Sequence, residues 1–162
     1  MNERTPVPAA VLTVSDGVDR GTRDDASGDA VVALLERHGF GVVDRRVVAD
    51  EVERIAMALR AMCRSARLVV STGGTGFGPR DVTPEATRTV IDREAPGLSH
   101  LMLSEGIKHT PMAALSRAVV GSRDRSLVIN LPGSPKGAGE NLLAVLPLVP
   151  HVLELLAGDT EH

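Results

Sequence analysis

Residues 68–87 read LVVSTGGTGFGPRDVTPEAT, and this stretch carries both the repeating pattern of the fold and its most unusual loop. The apolar run at 68–70 is typical of a buried strand. Four glycines then occur within six residues, at positions 73, 74, 76 and 78. Glycine costs roughly 0.5–1 kcal/mol relative to alanine inside regular structure, so this cluster indicates a loop that needs unusual dihedral angles or a close neighbour. Thr83 and Pro84 predict the start of a helix, as its N-cap and first residue.

Outside this stretch, strand and helix patterns alternate along the chain. Short apolar runs predict strands at 10–14, 41–48, 68–72 and 126–131. Helical spacing and capping residues predict helices that begin at Asp25 or Ser27, at about 51, at Thr83, at 97 with a break at 110–111, and at Ser134 with kinks at two later prolines. Alternation of this kind predicts an open, largely parallel sheet with helices on both faces.

The composition limits the possible classes of protein. A chain of 162 residues that is 43% hydrophobic and 24% charged predicts one domain with a substantial core. A net charge of -3 and only two aromatic residues disfavour nucleic-acid binding. No histidine pattern of a zinc site is present in the sequence.

The same composition bears on location. The first residues contain no apolar segment of a signal peptide, and we expect no apolar run to approach the roughly 18 residues of a membrane span. A single cysteine fits a reducing compartment. These features predict a cytoplasmic protein without a membrane partner.

Polar segments follow the predicted strands at 15–28, 50–51, 71–83 and 130–136. In open parallel sheets ligands bind beyond the carboxyl ends of the strands, so these four segments are predicted to meet at one edge. The glycine loop precedes a helix and leaves backbone N–H groups free, which suits a phosphate. The lysine of a P-loop is missing, and so is the dinucleotide-binding glycine pattern after the first strand.

Asp50 and Asp81 each follow a predicted strand or its loop and would face such a phosphate site. Carboxylates and phosphates repel each other unless a cation lies between them, and Mg²⁺ is commonly held by one or two carboxylates together with substrate phosphates. The residues therefore predict a magnesium-nucleotide or another phosphorylated ligand. The alternative is that the two aspartates only cap the helices that follow them.

Three motifs, in this order and spacing, resemble those of the MogA/MoaB family of molybdenum cofactor biosynthesis proteins: TGGTGFGPRDVTPEAT at 72–87, LSRAVVG at 115–121 and INLPGSPK at 129–136. The glycine-loop motif is also similar to that of the G domains of gephyrin and its plant counterpart. With Asp25-x-Ser27-Gly28 and the ADE triplet at 49–51, the resemblance covers about residues 9–157. One departure is Ala49, where many relatives carry proline.

The resemblance implies a three-layer α/β/α fold with a largely parallel, mixed sheet, one domain over residues 1–162, and assembly as a homotrimer. It implies a molybdopterin adenylyltransferase that uses Mg²⁺ and ATP. The terminal phosphate of the pterin attacks the α-phosphate of ATP, and pyrophosphate leaves. Because no fused second domain is expected, the product would pass to a separate molybdenum-insertion protein.

The resemblance also assigns roles to residues. Asp50 and Asp81 correspond to the two family carboxylates for catalysis and magnesium binding. The other implied contacts are a nucleotide and phosphate loop of Gly73, Gly74, Thr75 and Gly76, and ligand contacts by Ser15, Ser116, Asn130, Pro132, Gly133 and Ser134. Two alternatives remain open, a pterin- or nucleotide-binding protein without catalysis and a purely structural trimer.

Overall fold

The computed structural model describes residues 4–160, which form one six-stranded sheet with helices on both faces. The sheet order is β2-β1-β3-β6-β5-β4. The strands are β1 (Val7–Val14), β2 (Phe40–Val48), β3 (Leu68–Thr72), β4 (Arg93–Glu94), β5 (Val120–Arg123) and β6 (Ser126–Leu131). The first four strands of that order pair in parallel, whereas β5 and β4 are added antiparallel. The predicted largely parallel, mixed α/β fold is confirmed.

The helices lie between these strands in the chain, except the last two, which follow β6. They are α1 (Asp16–Asp19), α2 (Ala26–Arg37), α3 (Val52–Ser65), α4 (Thr83–Arg88), α5 (Pro96–His109), α6 (Pro135–Val145) and α7 (Val149–Leu156), with 3-10 turns at Pro111–Leu115 and Leu146–Leu148. The predicted break at 110–111 and the predicted split of the last helix near its prolines are both confirmed.

Alternation along the strands separates two cores, one on each face of the sheet. Val11 of β1 and Val70 of β3 join the first core, with the buried faces of α2, α6 and α7. Leu12 and Val69, their neighbours in the chain, join the second core with α3. Each fully buried apolar side chain of this kind contributes roughly 1.5–3 kcal/mol. The three layers therefore follow from the period of two in the apolar strands.

Two short strands, β4 and β5, were not among the predicted ones. The sequence of β4 is Arg-Glu and that of β5 is Val-Gly-Ser-Arg, so neither contains an apolar run. They form through backbone pairing with the edge of β6 and with each other. Sequence periodicity gives no signal for strands of this length and polarity.

The sequence predicts the N-cap residues of α2 and α4, and the structure agrees for α2 only. Asp25 is the N-cap of α2, and its carboxylate accepts the N–H of Gly28 at 3.1 Å, as predicted. Thr83 is not the cap of α4, because its hydroxyl donates to the carbonyl of Gly73 at 2.9 Å. Thr83 therefore ties the helix to the glycine loop.

The last helical stretch, Pro135–Leu156, is long and apolar enough to cross a membrane by length and composition. The prediction that no apolar run approaches this length is wrong for this stretch. Leu142, Val149 and Leu153 from it are buried in the first core, and the 3-10 turn interrupts the α-helix. One side of this stretch therefore packs on the sheet, and 33% of its apolar window is buried.

Candidate functional site

The carboxyl ends of β1, β2, β3 and β6 meet at one edge of the sheet, as their order in the chain predicted. There they enclose a polar cavity of about 440 Å³. Its lining residues come from the ends of these four strands, from the segments that follow them and from the start of α2. They are Thr13, Val14, Ser15, Val18, Arg23, Asp24, Ala26, Ser27, Asp50, Thr72, Gly73, Gly74, Asp81, Gly133, Ser134 and Pro135. This set is called the polar cavity below.

The glycine loop after β3 is shaped by close backbone contacts. Gly73 has φ +100°, and a Cβ there would collide with the carbonyl oxygen of Val14. Gly74 has φ +69°, and a Cβ there would collide with the Thr83 hydroxyl and lie 3.1 Å from the carboxylate of Asp50. Positive φ and lack of space both require glycine at these positions. The loop is thereby held against the ends of β1 and β2.

Asp50 and Asp16 form a reciprocal pair across two loops. The carboxylate of Asp50 accepts the N–H of Asp16 at 2.8 Å, and the carboxylate of Asp16 accepts the N–H of Asp50 at 3.0 Å. Arg80 donates two hydrogen bonds to Asp16, both at 3.0 Å. Asp50 makes no capping hydrogen bond to α3, whose N-cap is Glu51. The interpretation of Asp50 as a cap of that helix is therefore wrong.

The two carboxylates of this pair have opposite pKa shifts. The hydrogen bonds from Arg80 lower the pKa of Asp16 to about 2. The pKa of Asp50 is raised, first by burial and then by the negative charges of Asp16 and Asp81. Burial and neighbouring negative charge therefore disfavour the ionised form of Asp50.

Asp81 lies at the end of the glycine loop and lines the polar cavity. One of its carboxylate oxygens accepts the N–H of Gly78 at 2.8 Å, inside the loop. No side chain caps α4, so the interpretation of Asp81 as a cap of that helix is also wrong. The carboxylate instead closes the loop on itself and stays next to the cavity.

A second and larger cavity, of about 640 Å³, adjoins the first and is called the helical cavity. It lies mainly between α5, the 3-10 turn at Pro111–Leu115 and the start of α6. Its lining is partly apolar, with Met102, Leu103, Met112 and Leu115. The two cavities share four residues, which are Gly74, Asp81, Gly133 and Ser134. Among the residues that the structure describes, Asp81 is the only carboxylate that lines both.

The predicted contacts divide between the two cavities. Ser15, Asp50 and Gly73 line the polar cavity alone, and Thr75, Gly76, Ser116 and Pro132 line the helical cavity alone. Asn130 lines neither, so its prediction as a ligand contact is not supported. Its side chain is fully buried, donates to Ser71 and Thr87, and accepts the N–H of Val119 at 3.1 Å. Asn130 thus anchors the segment that follows Ser116.

Arg117 was not singled out by the sequence, although it lies within the LSRAVVG motif. Its guanidinium donates to the carbonyls of Gly76 and Asp81 at 2.8 and 2.9 Å and pairs with Glu85. It also lies 5.6 Å from the centre of the Phe77 ring. These contacts hold both ends of the loop tip, and only spatial proximity of the two motifs reveals them.

The donor set at this site was compared with the needs of a metal ion. Within residues 4–160, no three His, Cys, Asp or Glu side chains are grouped so that they could hold a metal by themselves. Among the residues that the structure describes, neither Asp50 nor Asp81 forms an ion pair with an arginine or lysine. This set fits Mg²⁺, which takes one or two carboxylates and completes its coordination with substrate phosphates and water.

Comparisons with known proteins agree with this geometry. The family model described as "Probable molybdopterin binding domain" matches residues 10–151. The molybdopterin adenylyltransferase of Helicobacter pylori is 41% identical over 153 residues, which cover 92% of this chain and 87% of that protein. Gephyrin of Dictyostelium discoideum is 40% identical over 157 residues, which cover 90% of this chain and 22% of gephyrin.

A solved structure extends the agreement to the fold. The molybdopterin biosynthesis enzyme MoaB of Thermus thermophilus superimposes with a TM-score of 0.88 at 49% identity, over 94% of this chain and 97% of that one. The family model and these identities cover the glycine loop and all four strand ends of the site. This chain therefore belongs to the MogA/MoaB family of molybdenum cofactor biosynthesis proteins.

Proposed function

We propose that this protein is a molybdopterin adenylyltransferase, which transfers AMP from ATP to the phosphate of molybdopterin. The observation that carries the proposal is the meeting of two cavities at Asp81, next to a glycine loop that suits phosphate. A reaction between two phosphorylated substrates needs two adjoining binding spaces with the reacting groups at their junction. The name of the Helicobacter pylori relative supports the same activity.

The reaction joins one phosphate oxygen to another phosphorus. A phosphate oxygen of molybdopterin attacks the α-phosphorus of ATP, the bond from that phosphorus to the bridging oxygen of the β-phosphate breaks, and pyrophosphate leaves. Little covalent chemistry is required of the protein, because positioning and electrostatic stabilisation supply most of the acceleration in such transfers.

Different residues of the chain would bind the phosphates, bind the ring system and hold the glycine loop in place. Gly74 of the glycine loop and Gly133 and Ser134 of the next turn line both cavities, and their backbone N–H groups would bind phosphate oxygens there. The partly apolar helical cavity suits the ring system of one substrate, with Ser116 available for a polar contact. Arg117 keeps the loop in place through its bonds to Gly76 and Asp81.

Asp50 and Asp81 are the residues that would hold Mg²⁺. When bound, Mg²⁺ supplies positive charge that neutralises the phosphates and the charge that develops during the transfer. Asp50 and Asp81 line the same cavity, and neither forms an ion pair with an arginine or lysine among residues 4–160, so both carboxylates are available to a cation.

Three further features belong to the proposal. A homotrimer is supported by large apolar side chains left exposed on the last helices, such as Leu143 and Leu148. Sedimentation equilibrium tests it, and a monomer at micromolar concentration would contradict it. A cytoplasmic location and transfer of the product to a separate molybdenum-insertion protein stay predictions.

The activity is tested by incubating the purified protein with molybdopterin, ATP and Mg²⁺. We expect one pyrophosphate released for each adenylylated molybdopterin formed. Omission of molybdopterin or of Mg²⁺ is the control and should abolish release. Binding of ATP and molybdopterin without pyrophosphate release would instead favour the non-catalytic binding protein, and binding of neither would favour a structural role.

A further inference from the structure

Positive charge is scarce in the two cavities. The polar cavity is lined by three carboxylates, those of Asp24, Asp50 and Asp81, and the helical cavity adds that of Glu140. Among all the described residues that line either cavity, Arg23 is the only arginine or lysine. Lys136, at the start of α6, lines neither cavity, and its side chain is 84% exposed.

Arg23 lies in the connection between α1 and α2. Its side-chain stem passes over Gly17, where a Cβ would lie 3.4 Å from both its Cβ and its Cδ. Within the part of the chain that the structure describes, its guanidinium forms no ion pair and no side-chain hydrogen bond. Arg45, Arg80 and Arg117, by contrast, are each paired with a carboxylate. All donors of Arg23 are therefore available to a ligand.

A triphosphate brings several negative charges into a cavity that already holds three carboxylates. One divalent ion held by Asp50 and Asp81 would offset only part of this charge. A guanidinium presents a planar fork of donors that binds two phosphate oxygens at once, and it stays charged at every working pH.

We propose that Arg23 binds the phosphate chain of ATP in the polar cavity and retains the pyrophosphate as it forms. Arg23 lines the polar cavity and not the helical cavity, whereas the junction is lined by Gly74, Asp81, Gly133 and Ser134. In the proposed function the α-phosphate of ATP lies at that junction. The β- and γ-phosphates then lie in the polar cavity, on the side of Arg23. The placement of ATP rests on the proposed function.

The test uses Arg23→Ala and Arg23→Lys, with Arg20→Ala as the matched control. Arg20 lies three residues earlier on the same exposed segment and lines neither cavity. Calorimetry gives the Kd of magnesium-ATP, magnesium-pyrophosphate and AMP for each protein, and steady-state assays with molybdopterin give kcat and KM.

We expect Arg23→Ala to weaken binding of ATP and pyrophosphate about 10–100-fold, which is the range for loss of a charged hydrogen-bonded contact. AMP lacks the two outer phosphates, so its Kd should change by less than about threefold by the same reasoning. The KM for ATP should rise with kcat changed much less. Arg23→Lys should recover part of the affinity, and Arg20→Ala should match the wild type.

Equal ATP and pyrophosphate affinities in Arg23→Ala, Arg20→Ala and the wild type would overturn the inference. Equal weakening of AMP and ATP would also overturn it, since Arg23 would then act on the nucleoside or its first phosphate. The proposed function fails separately, when the wild type releases no pyrophosphate from ATP and molybdopterin. In that case an Arg23-dependent Kd for pyrophosphate alone would still support the anion site.

Discussion

The polar cavity and the helical cavity share a wall but are built in different ways. The polar cavity is formed by the ends of parallel strands and the loops after them, and it holds Asp24, Asp50 and Asp81. The helical cavity is formed by α5, a 3-10 turn and α6, and much of its lining is apolar. Carboxylates are thus concentrated in the polar cavity and large apolar side chains in the helical cavity. Under the proposed function, this difference assigns the phosphates and the ring system to different cavities, both of which Asp81 lines.

The largest effect is expected from Asp81→Asn, which changes the carboxylate shared by both cavities. Asparagine keeps an oxygen that can accept the N–H of Gly78, so the loop and the free energy of unfolding should change little. Loss of one preorganised electrostatic partner commonly costs about 10²–10³ in rate. We expect the kcat for pyrophosphate release to fall by this factor and to recover partly at higher magnesium.

Asp19→Asn is the matched control for this charge change, since Asp19 is exposed and lines neither cavity. Turnover of this control should equal that of the wild type. Wild-type turnover by Asp81→Asn at low magnesium would contradict the metal role of Asp81. Its carboxylate would then serve only to close the loop.

A smaller effect is expected from Gly74→Ala, at a second residue shared by the two cavities. Its φ of +69° and the collision of a Cβ with the Thr83 hydroxyl predict a loss of about 1–3 kcal/mol in the free energy of unfolding. Gly139→Ala, inside α6, meets no atom within 4 Å and should gain about 0.4–1 kcal/mol. Urea unfolding of both variants measures the expected loss and the expected gain in the free energy of unfolding. A stable Gly74→Ala would mean that the loop can relax away from β1 and α4.

The two cavities also differ in how far the sequence predicts them. The polar cavity follows from topology, because parallel strands bring Asp50 and the glycine loop to one edge whatever the packing of the helices. The helical cavity depends on where α5 and the 3-10 turn settle, and on the antiparallel strands β4 and β5 that precede and follow them. Strands of two and four polar-rich residues carry no periodic signal.

For individual residues too, the sequence does not predict contacts that depend on packing. Asn130 lies next to the predicted turn, yet its backbone is part of a central strand and its side chain points into the protein to bridge Ser71 and Thr87. Arg117 and Arg23 have no motif chemistry of their own in the sequence. The structure gives Arg117 contacts across more than thirty residues, and it places Arg23 in the lining of the same cavity as Asp50. Such long-range placements are decided by packing.

The smallest expected effect is on the stability of the polar cavity, through Asp50→Asn. The pKa of Asp50 is raised above 3.8 by burial and by its carboxylate neighbours, so its negative charge opposes folding at neutral pH. Asparagine removes that charge and keeps an oxygen for the N–H of Asp16. At neutral pH and without magnesium, we expect Asp50→Asn to melt at or slightly above the wild-type temperature.

The pH dependence of the stability difference between Asp50→Asn and the wild type tests whether the charge of Asp50 causes it. A carboxylate with a raised folded-state pKa costs stability above that pKa, and this cost disappears as the pH falls through it towards the unfolded value of 3.8. The advantage of Asp50→Asn should therefore be largest at neutral pH and vanish below about 3.8. Asp50→Ala removes the same charge but leaves the N–H of Asp16 without its acceptor, so it should be less stable than Asp50→Asn at every pH. Melting curves from pH 3 to pH 8, an ordinary range for carboxyl titration, compare the three proteins. If the difference in melting temperature between Asp50→Asn and the wild type were the same at every pH, the charge of Asp50 would not be the cause of that difference.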